Sequence, residues 1–367
     1  GVSCHPLEGG CYSTYKLGTL DTFRVSAGVG ATNSRLFEQR RRLALPAQPF
    51  VRYIPSFKAI RFFQRAGMSV FRIIHVSDLH FSSRENRFRV FGQHNATSVQ
   101  LAAEFILAQN DVDALIASGD IAETGSRNCL TEALRFFSGP SSKIRKHLTE
   151  SGTGTIADFQ GKIIIMPGNH DRFHALDRMP GCEEFDAVFN NYWPPSERVH
   201  IVRISSNNSE KLGLAVICVD FSLRGPDECP GRGVWGQGLV HMDVLEILER
   251  ETIKTKKNHP ADAVIWAVHF PPCQIEFDPF LQLIAYEDLT RCAEKNNIKY
   301  ILSGHIHRRA VYKTGSTSII CAGSMSRAGE ENWIHKLEFK IDSGELHMTK
   351  KEDYKYDVFG NSFRPVT

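Results

Sequence analysis

Seven polar side chains able to hold a metal ion follow directly on apolar runs of this chain. Asp78 and His80 come after FRIIHV (71–76), and Asp120 comes after DALIAS (113–118). Asn169 stands in Pro167-Gly168-Asn169-His170-Asp171, just beyond KIIIM (162–166). His269 ends the run that begins at Ala263, and His305 and His307 follow the run at Lys299. A lone DxH, GD or HxH is a weak signal. Five buried-strand patterns that each end in such residues form a strong one, because open α/β sheets build their sites beyond the carboxyl ends of their strands.

The donor types agree with one another. Carboxylate, imidazole and one neutral amide, with no thiolate, suit divalent ions such as Mn, Fe, Zn or Co. An aspartate can span two ions through its two oxygens. Two ions roughly 3.5–4 Å apart clamp an in-line displacement at phosphorus and lower the pKa of a shared water. Glycines beside Asp120, Asn169 and His305 permit tight turns after the strands.

Those residues must be positioned by regular elements, and the pattern supplies them. Strands are expected at Phe71–Val76, Asp113–Ser118, Lys162–Met166, Leu212–Val219, Ala263–Val268 and Lys299–Leu302, with further strands alternating from Val311 to Met348. Helices are expected from Asn95 to Ala108, over Asn128–Phe137, Leu239–Glu251 and Tyr286–Asn296. Ser138–Gly161 reads as a surface insertion with a basic helical piece near Lys143–Leu148, and Trp235 as part of a packed turn. The order of elements suggests two sheets packed face to face with helices outside.

The series D-x-H, G-D, G-N-H-D, H, G-H-x-H resembles the calcineurin-like metallophosphoesterase superfamily, from Phe71 to Met348. The resemblance implies an α/β, four-layer αββα sandwich of two mixed β-sheets flanked by helices. It implies one ion on Asp78, His80, Asp120 and His307. A second ion would lie on Asp120, Asn169, His269 and His305, with Asp120 bridging. It further implies that His170 faces the substrate and assists the leaving oxygen, with Asp171 orienting its ring. His75, inside an apolar run, reads as a core residue, and Arg308 as structural or surface.

Substrate class is narrowed by one departure. The phosphoserine/threonine phosphatases of this superfamily carry an arginine in a G-D-x-x-D-R-G segment where this chain has Thr124, within Gly119–Gly125. The pattern looks closer to the branch of class III cyclic-nucleotide phosphodiesterases, so a small phosphodiester is the expected substrate. A DNA-repair-type nuclease, a phosphomonoesterase and a metal-free interaction scaffold are the alternatives. Nucleic acid is the less favoured partner, because residues 68–367 carry a net charge of −4. Loops Phe81–Gln93, Arg172–Pro195 and Ser222–Gly238 are expected to choose the substrate.

Composition frames these readings. The 367 residues are 42% hydrophobic and 23% charged, ordinary for a globular chain. No apolar run approaches the ~20 residues of a membrane span. The nine cysteines form no CxxC pair and are expected to be reduced, which points to a cytoplasmic location. Residues 1–67 carry a net charge of +7. They are open to three readings: an extension packed on the domain, a basic flexible leader, or an upstream read-through before Met68. Residues 68–350 are expected to form the phosphoesterase domain and 351–367 a C-terminal tail. Oligomeric state is not encoded in any recognisable pattern.

Overall fold

The computed structural model describes residues 69–83, 94–139, 154–174, 179–206, 209–228, 236–276, 278, 281–342 and 344–366. Residues 1–67, the expected helical piece near Lys143–Leu148 and the turn at Trp235 lie outside them.

Two six-stranded mixed sheets stack face to face. The first has the order β12-β11-β10-β1-β2-β3, from β1 (Ser69–Val76), β2 (Ala114–Ser118), β3 (Lys162–Met166), β10 (Trp333–Asp342), β11 (Glu345–Asp357) and β12 (Ser362–Val366). The second has the order β4-β5-β6-β7-β9-β8, from β4 (Val199–Ser206), β5 (Ser209–Val219), β6 (Ala263–Val268), β7 (Tyr300–Ser303), β8 (Ala310–Thr314) and β9 (Thr317–Cys321). Helices α1 (Ala96–Leu107) and α2 (Arg127–Ser138) pack with the first sheet. Helices α4 (Met242–Asn258) and α5 (Tyr286–Lys295) pack on the second, and the short α3 (Glu184–Val188) follows β3. The expected αββα sandwich is the architecture found.

Period-two alternation builds the layers. Leu214, Val216 and Cys218 of β5 and Ala263, Ile265 and Ala267 of β6 belong to the core that the two sheets share. Ala215, Ile217, Val219, Val264, Trp266 and Val268 point the other way, into a second core with Val244 and Leu248 of α4 and Leu289 and Ala293 of α5. Strands buried on both faces read as unbroken apolar runs, which is why they stood out in the sequence.

Register sets the site. β1, β2 and β3 run parallel, with Val76 opposite Ala117 and Ser118 opposite Met166, so their carboxyl ends align. β6, β7 and β9 are also parallel, with Ala267 opposite Leu302 and Ser303 opposite Cys321. The sheets are joined at this edge. Met325 N–H donates to the Ser77 carbonyl oxygen at 2.9 Å, and Ser324 Oγ donates to the Asp78 carbonyl oxygen at 2.8 Å.

Several expectations need correction. Residues 351–366 are not a tail: β11 runs on to Asp357, and β12 closes the first sheet. The charged stretch KKEDYKYD is held by Tyr354 and Phe363, whose rings meet Phe105 of α1 at centroid distances of 4.6 and 6.2 Å. α4 extends to Asn258, past the expected Glu251, because Thr252 and Thr255 continue its buried face. α2 starts at Arg127, with Ser126 as its cap, one residue earlier than expected. The expected loop Arg172–Pro195 contains α3.

Candidate metal centre

Backbone strain marks the edge where the strands end. Asp78, His80, Asp120, His305 and His307 all have φ between 50° and 70°. They are five of the nine non-glycine residues with positive φ among those described. Each such residue costs on the order of 1–3 kcal/mol, and strain of this kind gathers at functional sites. Glycine supplies close approach at two points. A β-carbon on Gly119 (φ 100°) would stand 2.7 Å from His269 Cγ, and one on Gly168 would stand 2.8 Å from His269 Cδ2. The sheets can therefore bring His269 against both turns only if these residues lack side chains.

Two donor clusters result. Asp78, His80, Asp120 and His307 offer ligand atoms within 4.8 Å of one another, and so do Asp120, His269 and His305. Asp120 belongs to both. His269 Nε2 lies 3.3 Å from Asp120 Oδ1 and 3.1 Å from Asn169 Oδ1, which brings Asn169 to the second cluster. In the first, His307 Nε2 lies 3.3 Å from Asp78 Oδ1 and 3.1 Å from His80 Nε2. All seven residues expected from the sequence therefore meet at one place. Asp78, His80, Asp120, Asn169, His269 and His305 are buried, while His307 is partly exposed.

The donors fit cations. His80 Nδ1 and both ring nitrogens of His305 are buried with no hydrogen-bond partner among the described residues. Buried polar atoms of this kind require an explanation, and a metal ion on one ring nitrogen of His305 supplies one. His269 Nδ1–H donates to the Ser118 carbonyl oxygen at 2.8 Å, so the neutral ring keeps its lone pair on Nε2, where a cation beside Asp120 can take it.

Electrostatics agree. Burial pushes the Asp120 carboxyl up, but the His269 and His170 charges and the His269 hydrogen bond hold it well below the usual carboxylate range. Burial lowers His269 and His307, yet Asp120 beside the first and Asp78 and Glu330 beside the second raise each imidazole to about 9. Burial, reinforced by the His269 and His307 charges, outweighs Asp120 and Asp78 at His305, which falls to about 3.

A pH dependence follows with a definite sign. Without metal, protons on His269 and His307 balance Asp120 and Asp78. That pairing stabilises the metal-free fold fully below the ordinary imidazole value of 6.5 and is lost as pH rises through about 9. A metal ion must displace the same protons. Metal uptake at pH 7.5 is therefore expected to release protons, and apparent affinity to weaken about tenfold per pH unit below 9 for each proton displaced. Calorimetry in buffers of different ionisation enthalpy checks this; an affinity constant from pH 7 to 9 would contradict it.

His170 sits at the edge of the donor clusters. Its backbone N–H donates to Asp120 Oδ1 at 2.9 Å, and its Nε2 lies 3.9 Å from Asp120 Oδ2. Its ring meets His80 edge to face, with centroids 4.7 Å apart. Nδ1–H donates to the Glu123 carbonyl oxygen at 2.8 Å. The Glu123 carbonyl thus fixes the tautomer, the role expected of Asp171. The Asp171 carboxylate instead accepts backbone N–H bonds from Ile121 (3.1 Å), Ala122 (2.8 Å) and Gly168 (2.9 Å). It fastens the turn after β2 to the turn after β3. Burial and the nearby Asp120 charge raise its pKa to about 7, against the pull of those amides.

The next residue anchors the same loop. Arg172 is buried and pairs with Asp220 (2.9 Å) and Asp186 (2.7 Å), and Arg198 shares Asp220 at 2.9 Å. Removing one partner from a buried pair like this typically costs ~3–5 kcal/mol.

Glu330 and Arg327 were not expected at the site. His307 Nδ1 lies 2.9 Å from Glu330 Oε2, and Arg327 Nη1 lies 3.1 Å from Glu330 Oε1. Neither belongs to a ligand pattern; both follow β9, on an irregular stretch with no periodic signal. Arg308 is exposed, as expected. His75 is buried with Nε2 2.9 Å from Ser118 Oγ, in keeping with a core role.

Comparison with known proteins decides the family. The family model for calcineurin-like phosphoesterases matches residues 71–309. The chain belongs to that family. A probable cyclic nucleotide phosphodiesterase from Fibrobacter succinogenes is 24% identical over 268 residues, covering 68% of this chain and 81% of that protein. Among solved structures, the chain is similar to the purple acid phosphatase PPD1 from yellow lupin seeds. That match has a TM-score of 0.48 and 12% identity, over 81% of this chain and 53% of that one. It is also similar to the calcineurin-like phosphoesterase YfkN from Bacillus subtilis, with a TM-score of 0.41 and 13% identity, over 81% and 93% of the two chains. The protein is accordingly a metallophosphoesterase, a metal-dependent hydrolase of phosphoric esters. No helix among the described residues is long and apolar enough to cross a membrane.

Proposed function

We propose that this metallophosphoesterase uses two divalent ions, of Mn, Fe, Zn or Co, to hydrolyse a small phosphodiester such as a cyclic nucleotide. The observation that carries the reading is the pair of donor clusters that share Asp120. Asp78, His80, Asp120 and His307 would hold one ion, and Asp120, Asn169, His269 and His305 the other. When bound, such ions supply Lewis acidity and lower the pKa of a water to yield a nucleophile near neutral pH.

The chain's own residues do the rest. Asp120 places one negative charge between the two clusters and offsets the repulsion between cations. Glu123 keeps the proton of His170 on Nδ1 in the neutral ring, so Nε2 serves the reacting side. Once protonated, Nε2–H donates to the departing ester oxygen, and the proton moves onto that oxygen as the P–O bond breaks. Asp171 holds the two turns that carry Asp120 and Asn169 in register through its three backbone N–H bonds.

The diester assignment is supported at Thr124. Its hydroxyl donates to Ser126 Oγ at 3.1 Å, and the position presents no guanidinium for a dianionic monoester. The likeness to a probable cyclic nucleotide phosphodiesterase points the same way. The test is to load the full chain with Mn²⁺, count ions per chain by elemental analysis, and compare bis-p-nitrophenyl phosphate, p-nitrophenyl phosphate and cyclic nucleotides as substrates. Two ions and a preference for diesters are expected. A single ion per chain would overturn the two-metal reading, and faster turnover of the monoester would overturn the diester reading.

A further inference from the structure

Two residues beyond His170, a buried guanidinium holds three segments of the chain together. Arg172 ends the short turn His170–Arg172, and its N–H donates to the Asn169 carbonyl oxygen at 3.1 Å. Its own carbonyl oxygen accepts the N–H groups of Gly181 (2.9 Å) and Cys182 (2.8 Å). The side chain reaches two carboxylates with different atoms of its fork. Nε donates to Asp220 Oδ2 at 2.9 Å, and Nη2 lies 2.7 Å from Asp186 Oδ1. Asp220 follows β5, and Asp186 lies in α3.

Both carboxylates pass the constraint on. Asp220 Oδ1 accepts the Ser222 N–H at 2.9 Å, and Asp186 Oδ2 accepts the Ser196 N–H at 3.1 Å. A β-carbon on Gly181 (φ 99°) would collide with the Arg224 carbonyl oxygen, so residue 181 is seated closely against residue 224. Residues 181–186 and 222–224 belong to two of the loops expected to choose the substrate. One fork therefore ties both loops to the turn that carries His170.

The surroundings of His170 depend on the same turn. Phe173, the next residue, packs its ring on His170 with centroids 4.8 Å apart, and its carbonyl oxygen accepts the Gly125 N–H at 3.1 Å. Gly125 lies two positions beyond Glu123, whose carbonyl oxygen receives the His170 Nδ1–H. An ion cluster this buried adds little net stability over an apolar filling of the same volume. It does fix direction, because a planar fork shared by carboxylates of two other segments holds all three in one relative orientation.

We infer that Arg172 is a positioning residue for His170: its fork locks the turn of the acid to the loops that frame the ester, so that Nε2 is aimed by the same segments that seat the substrate. The inference rests on the reading of His170 as the acid.

The test uses the full manganese-loaded chain with a cyclic nucleotide and bis-p-nitrophenyl phosphate, and the variants Arg172→Lys, Arg172→Met, His170→Ala and His170→Ala/Arg172→Lys. Arg172→Lys keeps the charge and loses the fork. It is expected to keep the wild-type ions per chain and to lower kcat on the cyclic nucleotide about 10- to 100-fold, the scale for a residue that orients another. The loss on bis-p-nitrophenyl phosphate, whose leaving group needs no acid, should be far smaller. Arg172→Met should show the same selectivity on a larger scale; where it fails to fold, Arg172→Lys decides. Because Arg172 acts through His170, the double variant should be no slower on the cyclic nucleotide than His170→Ala. NMR of the zinc-loaded chain reads the geometry without turnover: the His170 Nδ1–H, assigned by its absence in His170→Ala, should exchange with water severalfold faster in Arg172→Lys. Equal fractional losses on the two esters, additive losses in the double variant, or exchange at the wild-type rate overturns the inference. Loss of metal in Arg172→Lys overturns it too, by making Arg172 a support of the ligand turn. Equal losses on both esters in His170→Ala itself remove the acid reading and the inference with it, whereas selectivity in His170→Ala without selectivity in Arg172→Lys overturns the positioning role alone.

Discussion

Asp120→Asn is expected to lose both metal ions and to reduce turnover on the order of 10³-fold or more, well beyond the ~10–100-fold typical of residues that only support a ligand. Both carboxylate oxygens are committed. Oδ1 lies 3.3 Å from His269 Nε2 and accepts the His170 N–H at 2.9 Å, while Oδ2 lies 3.9 Å from both His80 Nε2 and His170 Nε2. An amide keeps one oxygen, turns the other into a donor, and removes the one negative charge that both clusters share. Asp78→Asn should do less. Asp78 belongs to the first cluster alone, and its carboxylate also accepts the His305 N–H at 3.2 and 3.0 Å. The second cluster would keep its carboxylate in that variant. Ions per chain and turnover, measured side by side on the two variants, decide the matter. Two retained ions and a near-normal rate in Asp120→Asn would sink the shared-carboxylate reading.

The ligand positions were legible because their strands are buried on both faces. A run such as AVIWAV has no solvent side to interrupt it, so the first polar residue beyond it marks the sheet edge. Parallel register then gathers residues far apart in sequence at one edge. What holds those ligands was not legible. The Glu123 carbonyl reaches His170 across 47 positions, and a backbone oxygen leaves no trace in side-chain identity. Asp171 looked like the natural partner of its neighbour His170. However, three amides of two turns compete for its two oxygens, and only the folded backbone brings those amides together. Glu330 reaches His307 across 23 positions from an irregular stretch, where neither period two nor period 3.6 applies. β12 was missed for another reason. It lies at the edge of its sheet, and its one buried residue, Phe363, gives too little alternation to read.

His170→Ala separates chemistry from metal binding. In the structure the ring is not one of the clustered donors: Nδ1–H is given to the Glu123 carbonyl, and Nε2 stays 3.9 Å from Asp120 Oδ2. The metal ligands around it keep their own contacts when the ring is removed, so metal content should match the wild type. The backbone N–H of residue 170 also survives the substitution and can still donate to Asp120. What is lost is a proton donor for the leaving oxygen, a contribution typically worth ~10²–10⁴-fold. That loss depends on the leaving group. An alkyl or sugar alkoxide is strongly basic and needs the proton as the P–O bond breaks, whereas p-nitrophenolate departs readily without one. The variant is therefore expected to lose ~10²–10⁴-fold on a cyclic nucleotide or other alkyl diester and far less on bis-p-nitrophenyl phosphate, with ions per chain unchanged. Burial, the largest influence on this imidazole, keeps its pKa below the ordinary value even though Asp120 and Glu123 raise it. The wild-type rate on the alkyl ester should consequently fall as pH rises past that lowered value and the acid form is depleted. The variant should lack this limb. Equal losses on both esters with metal retained would mean that His170 acts through position or charge alone. Loss of metal would make it a ligand, contrary to the division of labour within Gly168-Asn169-His170-Asp171.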